Sequence, residues 1–157
     1  SCVIYFSKKN KQTSYELKKA INIEESSGIN NFLAWKEFAN KVFNHKQKTF
    51  DFINSFKNKK IVGFGSSARS QTYLNFCGIT NNEIMAIIDN NELKHNMFSP
   101  GSSIPIISFE KGMKIKPDII FILAWNFKDE IIKQCLNYGY KGLFLLPFPN
   151  ELKLVKI

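Results

Sequence analysis

Arginine is almost missing from this chain. Arg69 is the only one among 22 basic residues, which face 13 acidic ones for a formal charge of +9. Proteins that read nucleic acids rely on the forked guanidinium for bidentate contacts to phosphates and bases. Here scattered lysines carry the charge, which describes a solvated basic surface, so no nucleic-acid partner is expected. Cysteine is scarce too. Cys2, Cys77 and Cys135 are far apart, with no Cys-x-x-Cys pair and no histidine spacing that suits zinc. They read as buried thiols of a reducing cytoplasm. No apolar run reaches the roughly 18 residues a membrane span needs. The first nine residues show no basic leader, apolar core or cleavage pattern, so no signal peptide is expected. The sequence does not open on Met, which leaves both a fragment and a stand-alone chain open. There is no Gly-x-Ser-x-Gly elbow, no internal repeat and no low-complexity segment. His45 and His95 have no carboxylate partner in sequence, and neither reads as a catalytic base.

What is present is a strand running into a small-residue turn. Lys60–Phe64 is an apolar strand that runs into a Gly-x-Gly-x-x-Ala turn of Gly63, Gly65 and Ala68, where a helix begins. Such a turn lets backbone approach a ligand, and the helix start offers free N–H groups to negative charge. A phosphate-bearing small molecule is the expected ligand. Upstream, residues 2–6 read as a short strand. A helix capped at Thr13 or Ser14 is expected to reach about Ser26, and a second helix to span 31–57. A largely aromatic stripe of that second helix (Phe32, Trp35, Phe38, Ala39, Val42, Phe43, Phe50, Ile53, Phe56) is expected to pack on a neighbouring sheet or another domain. Downstream, strands are expected at 83–89, 103–107, 118–125 and 142–146, with helices at 68–77, 109–113 and 127–138 and a closing edge segment at 151–156. Alternating strands and short helices predict an α/β fold with a Rossmann-like, doubly wound, mostly parallel sheet, preceded by a short strand and two helices. Residues 1–58 would form the flanking part and 59–157 the sheet domain.

Ligands of such sheets sit beyond the carboxyl ends of the strands, at the switch in strand order. Three segments are expected there. The first holds Gly65, Ser66, Ser67, Ala68 and Arg69, whose guanidinium could pair with phosphate, with Thr72 and Asn75 further along the same helix. The second begins at Asp89, 24 residues after Gly65 (89 − 65), near where a dinucleotide fold places an acid on the ribose; an Asx turn is the alternative. Lys94, in the loop that follows, could neutralise a phosphate. The third is Trp125-Asn126, a stacking surface beside an amide, although Asn126 could equally cap the next helix. Read from these residues alone, the domain binds a nucleotide and NAD is the default ligand.

Three motifs taken together point elsewhere. They are Gly63-Phe64-Gly65-Ser66-Ser67-Ala68-Arg69-Ser70-Gln71-Thr72-Tyr73-Leu74-Asn75; Asp89-Asn90-Asn91-Glu92-Leu93-Lys94 running on to Pro100-Gly101-Ser102-Ser103-Ile104-Pro105-Ile106; and Pro117-Asp118 leading to Ala124-Trp125-Asn126-Phe127-Lys128-Asp129-Glu130-Ile131, with Pro147-Phe148-Pro149 after it. In this order and spacing the chain resembles the C-terminal domain of S-adenosylmethionine-dependent sugar C-methyltransferases over nearly its whole length. The resemblance implies a parent enzyme of three parts: a zinc-binding domain, a methyltransferase domain that holds S-adenosylmethionine, and this domain, which helps hold a dTDP-type nucleotide sugar. The catalytic base and the methyl-donor site would lie outside this chain, so no catalytic residue, metal or bound cofactor is expected on it. The methyltransferase domain is the expected partner, upstream or as a separate chain. Where the family has Lys-Gly-Asn before the threonine of the turn, this sequence has Arg69-Ser70-Gln71. Glu92 stands where the family has Pro, and Asn96 where it has Gly. Two other readings stay open: an NAD-linked oxidoreductase domain, and a non-catalytic module that docks a partner through residues 31–57.

Overall fold

A computed structural model describes residues 3, 5–148 and 152–157. The chain divides within one long helix, between Val42 and Phe43, into two compact units. The N-terminal unit holds helix α1 (Tyr15–Ser27) and the first part of α2 (Phe32–Asn54). Ser14 caps α1 by accepting from the Leu17 N–H at 3.2 Å, and Gly28 closes it. The expected strand at 2–6 does not form at Val3, Tyr5 or Phe6; positions 2 and 4 lie outside the described residues. The aromatic stripe is divided in its environment. Phe32, Trp35 and Phe38 are exposed, whereas Ile53 is buried and Phe50 and Phe56 are half-buried. Two helices alone offer too little apolar partner surface to bury such a stripe, and a sheet supplies it for the later residues.

The second unit is built on six strands: β1 (Ile61–Phe64), β2 (Ala86–Ile88), β3 (Ile106–Ile107), β4 (Ile119–Ile122), β5 (Leu143–Leu146) and β6 (Lys153–Val155). Their order is β3-β2-β1-β4-β5-β6, and all neighbours are parallel except β6, which runs antiparallel to β5. The sheet is thus Rossmann-like and mostly parallel, as expected. Helices α3 (Ala68–Cys77), α4 (Phe109–Lys114) and α5 (Lys128–Asn137) connect the strands. β1 and β4 are buried at every position, as continuous apolar strands covered on both faces should be. Strand alternation sorts their side chains into two layers. Ile61, Ile119 and Phe121 join Ile53, Tyr73 and Leu74 on one face; Val62, Phe64, Ile120 and Ile122 join Met113, Ile131 and Cys135 on the other.

The strands are shorter than the apolar runs. β2 starts only at Ala86 because the Glu83 carboxylate accepts from the Thr80 N–H (2.8 Å) and hydroxyl (3.0 Å), folding 80–83 into a turn. β4 stops at Ile122 because Trp125–Phe127 form a single 3-10 turn ahead of α5. At the β3 edge, Asn96 N–H donates to Ile106 O and Ile106 N–H to Met97 O. Asn96 has a left-handed φ of 65°, the conformation in which asparagine best replaces glycine. The expected edge segment at 151–156 is β6; Glu151 and Pro149 lie outside the described residues. Among the described residues no helix is long and apolar enough to cross a membrane, and Cys77 and Cys135 are buried free thiols, held by burial at pKa values of about 11 and about 12.

Candidate functional site

β1 lies between β2 and β4, so the chain leaves β1 toward one side and returns on the other. The carboxyl ends of β1 and β4 open at that switch point. The turn after β1 is held by its neighbours. Gly65 has φ of 99°, and a Cβ there would collide with the Cβ and backbone of Ala124. Its N–H donates to Ile88 O at 2.7 Å. Ser66 is buried, and its N–H donates to Asp89 Oδ2 at 2.7 Å, its carbonyl accepts from Lys94 Nζ at 2.8 Å, and its hydroxyl accepts from Gln71 Nε2 at 2.8 Å.

Ser67 then caps α3. Its hydroxyl accepts from the Ser70 N–H at 3.2 Å, while Ser70 Oγ accepts from the Ser67 N–H at 3.4 Å. Ser70, fully buried, is thereby absorbed into the cap. The two N–H groups that follow the cap, on Ala68 and Arg69, are the orphan donors that every helix start presents. Arg69 is exposed, and its guanidinium lies 5.8 Å from the centroid of the Trp125 ring, a cation–π contact worth about 0.5–1 kcal/mol at such a site. Asn126 is exposed and caps nothing, since neither the 3-10 turn nor α5 has a side-chain cap. Ser67, Arg69, Leu123, Ala124, Trp125, Asn126 and Phe127 line a small cavity of about 40 Å³.

The structure therefore brings Ser67, Ala68, Arg69, Trp125 and Asn126 together on the β1–β4 side. Gly65 and Ser66 form the turn that leads into this corner, while Thr72, Asn75, Asp89 and Lys94 lie outside it. Thr72 is exposed and donates to Ala68 O at 3.1 Å within its own helix. Asn75 is two turns down α3, which runs back toward the amino ends of the strands. Its amide donates to Pro100 O at 3.0 Å and lies against Gly101. Asp89 and Lys94 pair with each other at 3.1 Å on the β2 side. Burial raises the Asp89 carboxyl, but the Asn91 and Ser66 N–H groups and Lys94 outweigh it, so it sits below the ordinary carboxylate value.

Behind Trp125 stands a group with no local sequence signal. The Tyr73 hydroxyl is 2.9 Å from both His45 Nε2 and Thr49 Oγ1, while Thr49 donates to His45 O at 2.8 Å. A neutral imidazole protonated on Nε2 completes all three bonds: His45 donates to Tyr73, and Tyr73 to Thr49. The His45 ring stacks on Phe148 (5.0 Å, 22°), and Phe148 lies 4.6 Å from Trp125. Tyr73 meets Trp125 edge-on at 6.4 Å. Burial, then the charge of Lys48, lowers the His45 pKa. A lowered value means that the unfolded chain binds more protons just below the free-histidine pKa of about 6.5. Stability is accordingly expected to fall as pH drops through that value, and to do so less in His45→Gln, which keeps an N–H donor. Thermal melts at about pH 7.5 and about pH 5.5 compare the two; equal losses would dismiss the role of His45.

Among the described residues no cluster of three or more His, Cys, Asp or Glu could hold a metal. Fold and corner together define a Rossmann-like α/β domain with a cationic and aromatic edge at its switch point. A family model described as the C-methyltransferase C-terminal domain matches residues 1–149. The C-methyltransferase NovU of Streptomyces niveus is 32% identical over 132 residues, which is 81% of this chain and 31% of that protein. The chain belongs to the C-methyltransferase C-terminal domain family. It spans about a third of the length of the curated relative it matches.

Proposed function

We propose that this chain is the substrate-side domain of an S-adenosylmethionine-dependent C-methyltransferase, and that it helps hold a nucleotide-activated deoxysugar of the dTDP type. The observation that carries this reading is the corner itself: one arginine, two helix-start N–H groups, an indole face and an unengaged amide at the switch point of a domain in this family. Arg69 and the Ala68 and Arg69 N–H groups suit a diphosphate, while Trp125 and Asn126 offer stacking and an amide to a base or sugar. A cavity of about 40 Å³ is far smaller than the roughly 300–1,000 Å³ that encloses a ligand. The domain would supply one wall, and the methyltransferase domain, upstream or as a separate chain, would supply the other.

S-adenosylmethionine, when bound, supplies the methyl group, and its site would lie on the methyltransferase domain. This domain's own part is positioning of the nucleotide sugar. Its two buried free thiols suit the reducing cytoplasm.

Calorimetric titration with dTDP, a dTDP-sugar, NAD and S-adenosylmethionine tests the reading. Heat from dTDP and the dTDP-sugar is expected; a response to NAD alone would refute it. Arg69→Ala should weaken dTDP binding roughly ten- to hundredfold, the worth of charge-assisted bonds to phosphate. Unchanged affinity would remove Arg69 from the site.

A further inference from the structure

A glycine turn that accepts a dinucleotide keeps its N–H groups open to the pyrophosphate and its following acid open to the ribose. Here both are closed from within. The Gly65 N–H only continues the β1–β2 ladder, to Ile88 O, but the Ser66 N–H is taken by Asp89 Oδ2. The other carboxylate oxygen, Oδ1, accepts from the Asn91 N–H at 2.9 Å. Lys94 bridges Asp89 Oδ2 (3.1 Å) and Ser66 O (2.8 Å), so the ammonium fastens the acid to the turn. The His95 ring bonds Asp89 O at 2.8 Å, holding the backbone of the same residue. The Asp89 side chain is only 12% exposed. A carboxylate thus occupies the spot where a ligand's phosphate would take the Ser66 N–H.

We propose that Asp89 and Lys94 form a built-in stopper that closes the β2 side of the glycine turn to dinucleotides and leaves a nucleoside diphosphate only the β4 side. The pair is then a specificity determinant, and the claim deepens the proposed function, resting on it for the identity of the ligand that is admitted. It explains why a chain carrying Gly63, Gly65, Ala68 and Asp89 in dinucleotide spacing would not take NAD.

The test follows the backbone amide of Ser66 by nitrogen-15 NMR in the whole chain, with NAD, inorganic pyrophosphate and dTDP as probes. In the wild type the Ser66 signal should stay put with all three. In Asp89→Ala it should move with pyrophosphate, with affinity raised at least about tenfold. Lys94→Ala, which loosens the acid but leaves a carboxylate for the Ser66 N–H, should gain less than Asp89→Ala. Should Asp89→Ala not fold, Asp89→Asn keeps an acceptor for the Ser66 N–H without the charge, and should show the same gain to a smaller degree. The proposal is overturned if NAD moves Ser66 in the wild type, or if neither Asp89 variant takes pyrophosphate more tightly. dTDP affinity in the same samples reports separately: its absence beside an intact stopper result refutes the substrate reading alone, and dTDP binding that moves Ser66 refutes the stopper alone.

Discussion

Gly65→Ala is expected to destabilise the chain by roughly 4 kcal/mol. The backbone at this position has φ of 99°, where an L side chain is strained by about 1–3 kcal/mol. The new methyl would collide with the Cβ and backbone of Ala124, and overpacking of this kind costs a further 1–3 kcal/mol or so. Because small domains are stable by only about 5–15 kcal/mol, the loss should be plain in urea unfolding. Adding Ala124→Gly should recover the overpacking part and leave the strain, so the double mutant should fall between Gly65→Ala and Ala124→Gly. A loss below about 1 kcal/mol in Gly65→Ala would mean that the turn does not need glycine.

Tyr73→Ala should cost about 3–5 kcal/mol, the usual range for truncating a large core aromatic. Tyr73 is 8% exposed and meets Phe121, Trp125 and Phe148 edge-on. Tyr73→Phe separates ring from hydroxyl. It keeps those contacts and strips partners from His45 and Thr49, for about 1–3 kcal/mol. The two variants should differ at the site as well. In a Trp35→Phe background Trp125 is the only tryptophan, and its emission should shift to the red in Tyr73→Ala but not in Tyr73→Phe. An unshifted spectrum in Tyr73→Ala would show that Trp125 keeps its place without the ring beneath it.

The fold was legible because its signals are local and periodic. Apolar runs such as 119–122, the cap at Ser14 and the glycines at 28 and 78 act on neighbours a few residues away. The site was less legible because its bonds are long-range. Asp89 sits at the distance from Gly65 that a dinucleotide fold prescribes, yet its partners are Ser66, 23 residues back, and Lys94, five residues on. Asn75 reaches a carbonyl 25 residues away. His45 gains its partner across 28 residues, from a helix that reads in sequence as an aromatic stripe. Strand ends were overestimated where a side chain folds the backbone early, as Glu83 does at Thr80. Hydrophobicity alone carries no sign of that bond.

The two rims of the sheet bear on self-association. At one rim β3 is only two residues long, and its backbone is already paired with Asn96 and Met97. At the other, β6 reverses direction, is three residues long and places Lys153 in solvent. Short, reversed, lysine-bearing margins are how proteins discourage strand addition between copies. A chain this rich in isoleucine and phenylalanine is thereby guarded against edge-to-edge polymerisation.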